Sequence, residues 1–176
     1  MSKQEHIAND LLVLRAQDGD AGAMEQLVDA WQSRLWAFAR VLTRDDAEAW
    51  DVLQEAWLAV VSGLRHLHDP SRFRPWIFRI VRHKATDRIR MRQRQRRLES
   101  EQMERVASER TYADTDMRDM LGALPDQSGS LLALHYLEGF DYEELAAILE
   151  VPLGTVKSRL YKARQDLKTM LEQGHG

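Results

Sequence analysis

Apolar side chains recur three and four positions apart along almost the whole chain, and this spacing restricts it to helices packed on helices. Met24, Leu27, Val28, Trp31, Leu35, Phe38, Ala39 and Leu42 form one stripe of about five turns. Asp20, just ahead of it, is suited to cap the helix with its carboxylate. Trp50, Leu53, Trp57, Val60, Val61 and Leu64 form a second stripe, and Trp76, Ile77, Ile80, Val81, Ala85 and Ile89 a third. Pro75, which has no N–H to donate, fits only the first turn of that third helix. A shorter helix is expected from Ile7 to Gln17. No alternating run is long enough for a strand, so the fold class is all-α. These helices predict one bundle over residues 5–96, with its five Trp (Trp31, Trp36, Trp50, Trp57 and Trp76) mostly in the core.

From 97 to 115 the chain turns to Glu, Arg, Gln and Ser with few large apolar residues. Part of it can extend the preceding helix, and the rest reads as a flexible acidic linker. A second small helical domain is expected over 116–172. Met117, Met120, Leu121 and Leu124 mark a helix stopped by Pro125. Leu131, Leu134 and Leu137 mark another, closed by Gly139. Asp141-Tyr-Glu-Glu144 has the spacing of a capping box. Pro152 and Gly154 punctuate the following turn, where glycine would permit close backbone packing. In the last helix Val156, Leu160, Ala163 and Leu167 share one face. Thr155, Ser158, Tyr161, Lys162 and Gln165 lie opposite, with Lys157, Arg164 and Lys168 on one flank and Arg159 on the other. A capped helix, a tight turn and a second helix with basic and hydroxyl groups outward form a helix-turn-helix fit for the DNA major groove.

Charge separates the chain further. The net charge of −3 conceals a block at residues 72–97 with eleven Lys and Arg against Asp87 alone, and a second basic block at 151–168. Between them, residues 120–150 carry six acids and no Lys or Arg. Two basic blocks in an acidic chain predict two polyanion-facing surfaces. The absence of Cys excludes disulfides, thiol catalysis and cysteine zinc sites. No apolar run approaches the roughly 20 residues that span a bilayer. The polar start, Met1 to Asp10, lacks the order of a secretory signal, so a cytoplasmic protein without membrane insertion is expected. A helical nuclease could use Asp46, Glu48, Asp51 and Glu55 with a metal. No His, Lys or phosphate loop accompanies them in sequence, and an acidic surface is the simpler reading. His66 and His68 are a weak candidate metal pair. Neither an enzyme nor a bound cofactor or metal is expected. A stand-alone helix-turn-helix regulator is an alternative, but it would need a receiver domain or a dimerisation helix.

Three motifs resemble a known family. Gly154-Thr-Val-Lys-Ser-Arg-Leu-Tyr-Lys-Ala-Arg164, after Gly139-Phe-Asp-Tyr-Glu-Glu-Leu-Ala146, resembles the DNA-binding end of ECF-type sigma factors, the small two-domain members of the sigma-70 family. Asp51-Val-Leu-Gln54-Glu55-Ala-Trp57 is similar to that family's Asp-Leu-Val-Gln-Glu motif with its following aromatic. The segment from Phe73 to Asp87 resembles its promoter-melting segment. The resemblance spans about residues 10–95 and 117–170.

It implies a transcription initiation factor that binds core RNA polymerase, through the clamp helices of the largest subunit and the flap, and that directs promoter recognition and melting. Asp51, Gln54 and Glu55, at i, i+3 and i+4, would contact the clamp helices. Arg65, His66, His68 and Arg72 would border a pocket for unstacked −10 bases, and Arg79, Arg82, His83, Lys84, Arg88 and Arg90 would follow the strand's backbone. Lys157, Ser158, Arg159 and Lys162 would read the −35 duplex, with Thr155 and Arg164 on phosphates. Trp57 and Trp76 are implied to be core residues rather than contacts. His83 stands where the family commonly has Asn, which predicts an unusual −10 preference. The linker would run towards the polymerase's RNA path, and an anti-sigma factor is an expected partner.

Overall fold

The computed structural model describes residues 3–100, 117–125 and 127–173. Its first half is set by aspartate caps. Asp20 ends the turn after helix α1 (Lys3–Gln17) and accepts the Ala23 N–H at 3.1 Å, starting α2 (Ala21–Thr43) where the spacing predicts. Arg15 grips the same carboxylate at 2.6 Å, and its hydrogen bond, ahead of that from Ala23, holds the Asp20 carboxyl below the usual range. Asp45 accepts the Glu48 N–H at 2.9 Å and begins α3 (Asp46–Gly63). Two 3-10 turns, Leu64–His66 and Pro70–Arg72, lead into α4 (Phe73–Ser100), with Pro75 in its first turn. Helix α1 starts ahead of the expected Ile7. The end of α4 takes in Arg97 to Ser100, and the remainder of the predicted linker lies outside the described residues.

Helix α2 buries Leu27, Trp31, Leu35 and Phe38, as its stripe requires. Helix α3 departs from expectation. Trp50 is 50% exposed and Val61 62% exposed, whereas Ala49, Val52, Leu53, Ala56 and Val60 are buried. The close approach of α3 to its neighbours selects alanines that a count of large apolar residues passes over. Trp50 instead tilts over Trp36, with ring centroids 5.8 Å apart. In α4, Phe73, Ile77, Phe78, Val81 and Ala85 are buried, with Trp76 and Ile80 packed at the edge. Of the five Trp only Trp31 is buried, its indole N–H donating to the Asn9 side chain at 2.8 Å. Trp57 and Trp76 are half-buried.

The second half begins with α5 (Met117–Ala123) and α6 (Ser128–Leu132). Helix α6 widens into a π turn over Ala133–Leu137, where the Glu138 N–H donates to the Ala133 carbonyl at 3.0 Å. Gly139, at φ +71°, ends it. Both halves of the predicted capping box are present: Glu144 N–H to Asp141 at 2.8 Å, and Asp141 N–H to Glu144 at 2.9 Å. They start α7 (Tyr142–Leu149), and α8 (Leu153–Gln173) follows with Val156, Leu160 and Ala163 buried and Leu167 at the core's edge. Gly154 makes no close approach, because a Cβ there would meet nothing within 4 Å. The close approach is at Gly129, where a Cβ would lie 1.7 Å from the Leu121 carbonyl oxygen. The fold is all-α, with no strand among the described residues.

The two halves share one apolar core. The Phe78 ring meets Phe38 at 5.3 Å, Trp31 edge-on at 6.3 Å and, from the second half, Phe140 edge-on at 5.0 Å. Arg44 donates to the Leu124 carbonyl at 3.0 Å, bringing α5 against the end of α2. Such aromatic contacts add about 0.5–1.5 kcal/mol each beyond simple burial.

Candidate nucleic-acid interface

Helix α4 carries the larger basic block, and the 3.6-residue repeat divides its cations among three surroundings. Lys84, Arg88 and Arg92, four positions apart, lean on α3. Lys84 lies 3.8 Å from Glu55, Arg88 pairs with Asp51 and lies 3.7 Å from Glu55, and Arg92 bonds Glu48 at 2.8 Å. Asp51 and Glu55, predicted to contact a protein partner, and Lys84 and Arg88, predicted to follow DNA, are therefore paired with one another. Gln54 is exposed beside them. The four acids weighed as a metal site each face an arginine or lysine, Asp46 pairing with Arg40. Among the described residues no group of three or more His, Asp or Glu could hold a metal ion, and His66 and His68 stand exposed on their turn.

A second row of α4 faces the other half of the chain. Arg74 donates to the Glu138 carbonyl, reaches Glu144 at 3.3 Å and lies 3.8 Å over the Phe140 ring; burial pulls its pKa down. Its Nε is buried without a hydrogen-bond partner. Arg82 donates from Nε to the Ile148 carbonyl at 3.1 Å and from a terminal nitrogen to the Leu149 carbonyl at 2.9 Å, the negative end of α7. Glu150 ends α7 in the left-handed region, φ +56°. Its carboxylate lies 2.6 Å from His83 Nε2, 3.9 Å from Arg79 and 4.0 Å from Arg82. The His83 hydrogen bond, then the neighbouring charges, hold the Glu150 carboxyl below its ordinary value. Arg90, 3.8 Å from Asp87, is exposed, as are Arg94, Arg96 and Arg97.

The loop residues Arg65, His66, His68 and Arg72 are exposed, and Asp69 shapes their turn by accepting from the Ser71 N–H at 3.0 Å and the Ser71 hydroxyl at 2.6 Å. Ser71, Arg72, Trp76 and Arg79 line one side of a cleft of about 380 Å³, whose other wall is Asp141, Glu143 and Glu144. The −10 residues thus fall into four groups: the loop, the row against α7, the row against α3, and Arg90 on the outer side of α4. The −35 residues stay together. Lys157, Ser158, Arg159, Lys162 and Arg164 are exposed along α8, Thr155 is half-buried, and Arg164 is tethered to the Tyr136 hydroxyl at 2.8 Å. The intramolecular partners Glu138, Glu144 and Glu150 were not anticipated individually. Their signal is the run at 120–150 with acids and no Lys or Arg.

Two family models match this chain: Sigma-70 region 2 over residues 27–95, and Sigma-70, region 4 over residues 115–167. The RNA polymerase sigma-H factor of Pseudomonas aeruginosa is 29% identical over 178 residues, covering 92% of each chain. The RNA polymerase sigma factor SigV of Bacillus subtilis is 30% identical over 137 residues, covering 77% of this chain and 81% of its own. A co-crystal structure of the sigma factor RpoE with the anti-sigma factor NepR from Bartonella quintana superimposes with a TM-score of 0.70 at 27% identity, over 84% of this chain and 96% of that one. A region 2 bundle followed by a region 4 helix-turn-helix defines a bacterial transcription initiation factor of the sigma type. The chain belongs to the ECF group of the sigma-70 family. Its function is RNA polymerase binding and promoter recognition, and the region 2 match occupies the half where a stand-alone regulator would need a receiver or dimerisation domain. Among the described residues no helix is long and apolar enough to cross a membrane.

Proposed function

We propose that α8 reads the −35 element as duplex through Lys157, Ser158, Arg159 and Lys162, with Thr155 and Arg164 on phosphates. In this reading the 64–72 loop and α4 hold the −10 element as a single strand while it opens. Asp51, Gln54 and Glu55 contact the polymerase clamp helices, and the second half docks on the flap. The observation that carries this is the exposed basic and hydroxyl face of α8, presented by a capped helix and a tight turn. Each DNA surface is small and the remaining charge is acidic, so the free chain binds promoter DNA weakly. Mounting both on polymerase makes the second contact intramolecular and raises its effective concentration. The protein acts in the cytoplasm, uses no cofactor or metal, and catalyses no reaction of its own. An anti-sigma factor is its regulatory partner, a reading supported by the NepR complex of the similar RpoE.

Run-off transcription with core polymerase on a promoter library tests this, since start-site selection must appear only when the protein is added. Lys157→Ala with Lys162→Ala should lower upstream-element use about tenfold or more, at roughly 1–3 kcal/mol for each lost specific contact, leaving core binding intact. Asp51→Ala, Gln54→Ala and Glu55→Ala together should remove core binding, measured by co-elution. Lys84 and Arg88 are each 36% exposed and can be rehydrated, so the melting temperature should change little. Core polymerase that neither retains the protein nor gains start-site selection from it would refute the assignment.

A further inference from the structure

Arg164 differs from the cations of α4 in what holds it. Arg74, Arg88 and Arg92 meet carboxylates of the protein itself, whereas Arg164 donates from Nε to the Tyr136 hydroxyl at 2.8 Å. A neutral hydroxyl orients a guanidinium without cancelling its charge. Hydrogen bonds to Tyr142, then to Tyr136, raise the Arg164 pKa, so both tyrosines favour the cation. Tyr136 comes from the π turn, whose extra residue lets Ala133 and Leu134 stay buried while Tyr136 stands 59% exposed beside α8. Its ring is fixed from behind. The His135 ring lies edge-on to it, with centroids 4.7 Å apart, and packs against Tyr142 at 5.3 Å. His135 is itself anchored, donating from Nδ1 to the Phe140 carbonyl at 2.9 Å.

We propose that Tyr136 is a positioning residue for −35 recognition: its hydroxyl holds Arg164 on the flank of α8, so that the guanidinium meets a DNA phosphate already oriented. This rests on the phosphate assignment of Arg164 made above. Arg164 lies seven positions after Lys157, about two turns along the same flank. A free arginine side chain loses rotamer freedom when it binds, and one held beforehand loses less. The planar fork suits the task, because Nε can bond the hydroxyl while other N–H groups of the same plane meet phosphate. Phosphate contacts fix the register of a protein on the duplex without reading its sequence. The π turn, which precedes the helix-turn-helix, thereby governs a DNA contact made on α8.

The test is made on the full chain assembled with core polymerase. The probe is a labelled promoter duplex taken from the library run-off assay, titrated at several salt concentrations. Tyr136→Phe keeps the ring against His135 and removes only the hydroxyl. It should weaken binding about fivefold, equally for every −35 sequence tried, with the melting temperature unchanged. Arg164→Gln should weaken binding about tenfold and lower the salt dependence by about 0.9 in the log–log slope, one phosphate contact. Arg164→Lys keeps the charge and loses the fork, so it should keep the slope and still lose about fivefold. Tyr136→Phe combined with Arg164→Gln should bind as Arg164→Gln alone does, because the hydroxyl acts only through the guanidinium. Full affinity for Tyr136→Phe or Arg164→Lys, or losses that multiply in the double variant, overturn the positioning role and leave Arg164 on its phosphate. Full affinity and an unchanged slope for Arg164→Gln overturn the phosphate assignment as well, while polymerase-directed transcription tests the sigma function separately.

Discussion

Phe78→Ala is expected to destabilise the protein by about 3–5 kcal/mol, the cost of removing a fully buried aromatic ring. For a chain of this length that is roughly 10 °C or more in Tm, read by thermal melting in circular dichroism. Phe78 is 0% exposed and stands between Phe38, Trp31 and Phe140. Its ring neighbours belong to α2 and to the loop before α7, so no single side chain can collapse into the space. Phe78→Leu keeps most of the volume and should cost less than about 1.5 kcal/mol. Because Phe140 belongs to the other half, Phe78→Ala and Phe140→Ala should be clearly less than additive, each removing the same contact. Additive losses would show that the two rings do not meet in solution.

Gly129→Ala is expected to cost about 3 kcal/mol or more, beyond the range in which packed interiors adjust. The added Cβ would lie 1.7 Å from the Leu121 oxygen and 2.6 Å from its carbonyl carbon, both backbone atoms that no rotamer change can move. Helices α5 and α6 would have to separate, releasing Leu121, Leu124 and Leu131 from the core. The matched control is Gly154→Ala, with open space around it, which should be neutral or stabilise folding by up to about 1 kcal/mol through helix propensity. Equal melting temperatures for the two variants would contradict the α5–α6 contact.

These two glycines also show what a single sequence makes legible. Local signals were readable. Asp20, the Asp141–Glu144 box and the two faces of α8 each depend on residues three or four positions apart, and each appears where its spacing predicts. The buried face of α3 was misread because two of its members, Ala49 and Ala56, carry almost no hydropathic signal, while Trp50 and Val61 carry a strong one and face outward. Gly154 drew attention through its turn, whereas Gly129, in a bland Ser-Gly-Ser run, makes the close approach. The partners of the basic helix were the least legible part. Arg82 meets Leu149 across 67 positions and His83 meets Glu150 across the same separation, and no periodicity links residues so far apart. Charge segregation disclosed the two basic blocks, but not that the larger one spends part of its charge on the protein's own acids.

The aromatic contact across the two halves has a practical consequence for dissecting the molecule. A fragment beginning near residue 117 would leave the Phe140 ring, the Arg74-facing side of Glu144 and the Arg44-binding carbonyl of Leu124 without their complements. Such a piece would be prone to self-association, and any affinity measured on it would report a surface that the intact polypeptide keeps hidden.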